Sequence, residues 1–215
     1  NGNKVTKEYY INDYGNQIKN FAKSVFLRIR EIKYNEKFIL KEDLYPGEYI
    51  IEIGKKIIES NKNEKFDNFD ESLKLLKKES LKHSMDLIKS DLKQLGIEHD
   101  NFFSETELIE NKLVDKAVNH LKKNNYVQEG YLEPPKGETD KTWKKTKRLI
   151  FKSTLFGDDT DRAMQKNDGS WTYFANDVGY HMDKVNRNYE YLIDVLGADH
   201  TGYVKRITAA VSALS

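Results

Sequence analysis

Cysteine is missing altogether from the 215 residues, which excludes disulfides and thiolate-held zinc and suits a reducing compartment. No apolar stretch comes near the roughly 18 residues that a membrane span needs, and no signal peptide is visible. Charge of one sign is lacking too. Basic residues number 36 against 35 acidic ones, a net charge of +1, so nothing argues for general attraction to nucleic acid or membrane. The familiar catalytic signatures are also absent: there is no GxGxxG, Walker A, HExxH or GxSxG, and Gly54-Lys55-Lys56 lacks the upstream glycine of a P-loop. The sequence opens at Asn1 rather than Met, and Asn1-Gly2-Asn3 has no targeting character. A piece of a longer protein is expected.

What is present is 38% hydrophobic and 33% charged, enough to build a core beneath a heavily solvated surface. The length suits one large α/β domain or two small ones. Val5 to Ile11 is a β-prone run ended by Asn12-Asp13, and Asp13 is placed to cap a helix. Ile18, Phe21, Ala22, Val25, Ile29 and Ile32 then follow helical spacing. A strand feeding a long helix is half of a βαβ unit. Tyr45-Pro46-Gly47 is a turn, and Ile50, Ile53 and Ile57 mark a second helix ending near Asn61.

From Phe66 to Asn125 the pattern is helical and rich in Lys and Glu. Leu73, Leu76, Leu87, Leu92 and Leu95 stripe one long helix that stops at Gly96. Ser104-Glu105-Thr106-Glu107 has the form of a capping box, so one further helix should start after Ser104 and bury Leu113, Ala117 and Leu121. This block carries no catalytic constellation and is read as an insertion packed as an appendage on a sheet domain. Tyr126 to Leu132 is a short strand, Pro134-Pro135-Lys136-Gly137 a loop, and Leu149, Phe151, Ser153 and Leu155 alternate as a strand should. Asn167-Asp168-Gly169-Ser170 has hairpin-turn chemistry. Val204, Ile207, Val211 and Leu214 define a closing helix. Residues 1–62 and 133–215 are thus expected to be two parts of one α/β catalytic domain, with 63–132 as a mainly helical insertion.

The most informative stretch is Trp171 to Tyr203. Its apolar run Tyr191 to Leu196 reads as a central strand of a parallel sheet, ended by Gly197-Ala198-Asp199-His200. In open α/β sheets ligands sit just beyond the carboxyl ends of such strands. Gly197 would let a ligand approach the backbone, with Asp199 as acceptor and His200 as donor. A tight turn with two solvated polar residues reads equally well on spacing alone. Tyr173 and Asp177, four apart, share a helix face if a helix begins near Tyr173. An acid beside a phenol suits a cationic ligand, although an acid near a helix start is also favoured by the helix dipole.

Other candidates read better as structure. Asp158-Asp159-Thr160-Asp161 lacks the glycine and distal glutamate of a calcium loop, and is a charged turn that positions Arg162. Lys144 to Arg148 beside Trp143 resembles an RNA-contacting patch, but a solvated hairpin explains it more simply. His83, His99 and His120 fall in the helical block, and His181 reads as a packed, satisfied core histidine.

DYGNQI at Asp13 to Ile18, STLFGDDTDR at Ser153 to Arg162, NDGSWTYFANDVGYHMDK at Asn167 to Lys184 and IDVLGADHTGYVKR at Ile193 to Arg206 together resemble the bacterial arginyl-tRNA synthetases, in the family's order. The resemblance covers most of the chain. It implies an α/β fold: a partial Rossmann-like, class I synthetase nucleotide-binding sheet with a large helical insertion. It implies arginine–tRNA ligase activity, in which L-arginine attacks ATP to give arginyl-adenylate and pyrophosphate, and the arginyl group passes to the 2′-hydroxyl at the 3′ end of tRNA(Arg). Such enzymes act by positioning and charge stabilisation.

By position, the resemblance assigns Tyr173, Asp177 and His200 to the arginine substrate. Gly197, Asp199 and His200 are assigned to ATP and the adenylate, and Asp13 and Gln17 to the pocket rim. Mg2+ is expected with ATP and no protein-held metal; a cytoplasmic monomer without membrane contact is implied. The HIGH and KMSKS-like signatures that hold the ATP phosphates are absent from the 215 residues, so no catalytic residue is assigned and half an active site is expected. The alternatives are another class I aminoacyl-tRNA synthetase, or a non-catalytic α/β module that binds RNA or protein. Asp177 speaks against the first, because an apolar amino acid needs no carboxylate.

Overall fold

A computed structural model describes residues 2–132 and 146–215. The expected loop at Pro134 to Gly137, and Trp143, Lys144 and Lys145 of the basic stretch, lie outside these residues. The chain is α/β and divides into two compact units, one up to Thr106 and the other from Glu107.

In the first unit, strand β1 (Glu8–Ile11) is followed by helices α1 (Gly15–Tyr34), α2 (Tyr49–Ser60) and α3 (Phe69–Gln94), and then by strand β2 (Asn101–Ser104). β1 and β2 pair in parallel, from Glu8 opposite Asn101 to Ile11 opposite Ser104. Parallel neighbours need a long crossover, and the three helices supply it. Ile18, Phe21, Val25 and Ile29 of α1 pack with Ile50, Ile53 and Ile57 of α2 and Leu76 of α3. Each such side chain, fully buried, contributes roughly 1.5–3 kcal/mol. The segment from Phe66 is mostly helical, with strand β2 inside it, and α3 packs into the core of this unit.

The helix ends follow local chemistry. The Asn68 side chain accepts from the Asp70 N–H at 2.8 Å, capping α3. Gly96, at φ +73°, stops it in the left-handed region. Asp13 does not cap α1, whose N-cap Tyr14 makes no side-chain bond. Its carboxylate instead accepts from Ser104 Oγ at 2.6 Å and from the Thr106 N–H at 2.9 Å. The parallel register explains the change: β1 and β2 end side by side, so the residue just past β1 meets the helix start just past β2.

That start is helix α4 (Glu105–Glu110), which breaks at Lys112 (φ +52°) before helix α5 (Leu113–Lys123). One continuous helix was expected. Strands β3 (Val127–Gly130), β4 (Arg148–Phe151) and β5 (Arg162–Ala163) form an antiparallel sheet in that order. The alternation expected through Leu155 ends at Phe151. Ser153–Phe156 is a 3-10 turn, with Ser153 Oγ donating to the Thr160 carbonyl at 2.8 Å. The hairpin at Asn167 to Ser170 forms as expected, with Gly169 at φ +82°. Helices α6 (Tyr173–Asn186) and α7 (Val204–Leu214) complete the unit.

The largest departure is Tyr191 to Leu196. It has no regular secondary structure, and Ile193 and Val195 are 84% and 94% exposed. A strand exists only through its ladder, and among the described residues no backbone ladder forms along this run. Among the described residues, no helix is long and apolar enough to cross a membrane.

Gly179 sits where α6 crosses α5. A Cβ there would lie 3.0 Å from the Val114 backbone nitrogen and Cα. Alanine gains about 1 kcal/mol of helix propensity, but overpacking against backbone costs about 1–3 kcal/mol. Gly179→Ala is therefore expected to lower stability in urea melts, and Gly179→Leu to lower it further. A neutral or stabilising Leu variant would contradict this packing.

Candidate functional site

The site is built around Asp177 in the second unit. Thr172 caps α6, its hydroxyl accepting from the Ala175 N–H at 3.2 Å, so the helix begins at Tyr173. Phe174, Ala175 and Val178 are buried, and they turn Asp177 toward the start of α7. There the Tyr203 hydroxyl donates to Asp177 Oδ2 in a short contact. Burial pushes the Asp177 carboxyl above its ordinary value, and the Tyr203 hydrogen bond is the foremost influence drawing it back. Burial, then the charge of Asp177, pushes the Tyr203 phenol far up, so it stays a donor.

Several cations of this unit have partners of their own. Arg162 makes a two-pronged pair with the buried Asp158, Nε and Nη2 each at 2.7 Å. Lys184 donates to Asp194 Oδ1 at 2.6 Å. Lys205 pairs with Asp159 at 2.9 Å. Arg206 lies over the Tyr203 ring, 4.8 Å from its centroid. Among the described residues no cationic side chain pairs with Asp177, and its Oδ1 receives no hydrogen bond. Asp177 is thus a half-buried acid without a cationic partner among the described residues.

A second cluster anchors the exposed run. His181 is buried, with Nδ1 at 2.8 Å from the Asp177 carbonyl and Nε2 at 2.8 Å from Asp194 Oδ2. Both ring nitrogens therefore have a polar partner within hydrogen-bond distance. His181 first, and Lys184 with it, hold the Asp194 carboxyl well below the usual carboxylate range. The reading of His181 as a satisfied core histidine holds. So does that of Asp158 as the residue that positions Arg162.

The first unit carries an aromatic cleft of about 230 Å³, lined by Tyr9, Asn12, Gln17, Tyr45 and Tyr49 among others. Among the described residues no cluster of three His, Asp or Glu side chains is arranged to hold a metal ion.

No family model matches the chain. An arginine–tRNA ligase of Pelagibacter ubique is 57% identical over 216 aligned residues, covering all of this chain and 37% of that protein. The arginine–tRNA ligase of Ehrlichia chaffeensis is 48% identical, again over the whole chain and 37% of the relative. The chain is similar along its whole length to arginine–tRNA ligases. A solved Campylobacter jejuni structure, described provisionally as an arginyl-tRNA synthetase, superposes with a TM-score of 0.82 at 31% identity, covering 99% of this chain and 43% of that one. The chain thus spans 37% of the length of the curated ligases it matches.

The structure brings together some of the residues singled out in the sequence. Asp177 and His200 meet through Tyr203, whose ring lies 6.3 Å from the His200 ring. Tyr173 shares the α6 face with Asp177 but is 73% exposed. Gly197, Asp199 and His200 are exposed, and His200 Nε2 lies 3.7 Å from Asp199 Oδ2. The strand end expected to present them is not formed; a 3-10 turn over Ala198–Tyr203 carries them instead. Asp13 and Gln17 belong to the other unit. Tyr203, Asp194 and Lys184 were not foreseen, and the only available signal was their place inside the matching sequence blocks.

Proposed function

We propose that the protein carrying this chain is an arginine–tRNA ligase. The carboxylate of L-arginine attacks the α-phosphate of ATP, the bond to the β-phosphate breaks, and pyrophosphate leaves. The terminal 2′-hydroxyl of tRNA(Arg) then attacks the arginyl carbonyl, and AMP departs. The observation that carries this reading is 57% identity along the whole chain with a curated arginine–tRNA ligase, and the unpaired Asp177 gives it a chemical focus. A guanidinium is planar and permanently charged, with paired N–H donors that fit a carboxylate. Tyr173, one turn away, offers a ring or hydroxyl contact, and His200 borders the same carboxylate. Gly197, Asp199 and His200 are assigned to the adenylate, and Asp13 and Gln17 to the rim. Mg2+ enters as part of the ATP substrate.

The parallel β1 and β2 pair with its helical crossover supports a Rossmann-like nucleotide-binding sheet. A monomer in the cytoplasm fits this reading. The 215 residues lack the HIGH and KMSKS-like signatures, so the chain alone is expected to be inactive. Losing several transition-state contacts worth roughly 3 kcal/mol each removes nearly all catalysis. The complete protein should show arginine-dependent, tRNA-stimulated pyrophosphate exchange, and the 215-residue chain none. Exchange with another amino acid but not arginine would refute the assignment.

A further inference from the structure

We propose that Tyr203 is the positioning residue that fixes the Asp177 carboxylate for a guanidinium, holding Oδ2 and keeping Oδ1 free for the ligand. The inference rests on the function proposed above. Tyr203 lies at the junction of the 3-10 turn and α7, 26 residues from Asp177. Its hydroxyl only donates here, since the carboxylate has no proton to offer in return. One oxygen is thereby fixed in direction, and rotation of the carboxylate about its last bond is blocked. The groups facing Asp177 are Tyr203 and His200 from the segment before α7 and His181 and Lys184 from α6. Those facing Tyr203 include Arg206 and Arg162. Arg162 is saturated by Asp158 and Lys184 by Asp194, so neither replaces the phenol as the partner of Asp177.

The hydroxyl also governs the charge of the acid. Burial drives Asp177 toward its neutral form, and the phenol O–H stabilises the ionised one. Without it, Asp177 protonates at higher pH. A neutral acid is a poor partner for a guanidinium, so arginine use should weaken most on the acid side of neutrality.

Tyr203→Phe is the test, because the ring and its contacts with His200 and Arg206 remain. In the 215-residue chain, carboxyl-carbon NMR of Asp177 should show its titration midpoint moved to higher pH in the variant. In the complete ligase, the arginine KM at neutral pH should rise roughly tenfold, equivalent to about 1.4 kcal/mol, and more at lower pH, with the ATP KM unchanged. An unmoved midpoint overturns the proposal, as does an arginine KM that is unchanged across pH. A wild-type ligase inactive with arginine would sink the functional reading instead, while the NMR comparison would still decide whether Tyr203 controls Asp177.

Discussion

On the function proposed above, Asp177→Asn is expected to weaken arginine use by the complete protein a hundredfold or more while leaving the ATP KM within about threefold. Removing one partner of a desolvated ion pair costs about 3–5 kcal/mol, and each 1.4 kcal/mol is roughly a factor of ten. The amide keeps the shape of the carboxylate and still accepts from Tyr203, so the change isolates the charge. Stability should move the other way. Burial raises the Asp177 carboxyl above its ordinary value, so its ionised form works against folding once the pH exceeds the unfolded-state value. Removing that charge leaves neutral-pH stability unchanged or higher. The competing view is that Asp177 only complements the dipole at the start of α6, worth about 0.3–1 kcal/mol. It requires the opposite pattern, a lower melting temperature with an arginine KM shifted less than about fivefold. Steady-state kinetics and thermal melts of one variant separate the two.

The contrast between what was legible and what was not has a physical basis. Helices α1, α2 and α3 announce themselves because their buried residues repeat at local spacing, and Gly96 sits where a helix end requires it. Strand β2 was hidden. Asn101–Ser104 has no alternation to reveal it, and its partner β1 lies 93 residues earlier. The run Tyr191 to Leu196 shows the converse error. Its composition suits a buried strand, but composition does not supply a ladder, and Asp194 on His181 and Lys184 is what holds it. At the site, the helical spacing of Tyr173 and Asp177 was readable. Tyr203 was not, because a contact across a turn leaves no period in the sequence. The same applies to Asp13, whose role as the cap of α4 follows from strand register rather than from its neighbours.

The charged turn before the site was readable as a device for holding Arg162, and its energetics give the second large effect. Asp158 is buried, accepts two guanidinium bonds from Arg162 at 2.7 Å each, and receives the Asp159 N–H at 2.8 Å. Arg162 is one of the charges facing Tyr203, so the pair ties the loop to the site. Asp158→Ala would leave a partly buried guanidinium without its counter-charge and is expected to cost about 3–5 kcal/mol at neutral pH. The pH dependence fixes the cause. Arg162 first, with the Asp159 N–H assisting, holds the Asp158 carboxyl below its ordinary value. Its stabilisation is therefore complete above the unfolded-state carboxylate value, near pH 4. It is lost as the pH falls through the lower folded-state value. Urea unfolding from pH 7 down to pH 3 should show a gap between wild type and Asp158→Ala that is constant down to about pH 4 and then narrows. A gap below about 1 kcal/mol at pH 7, the range of an exposed ion pair, would show that the turn only decorates the surface. A gap that stays constant into the acid would show that packing, not the ionised pair, supplies the energy.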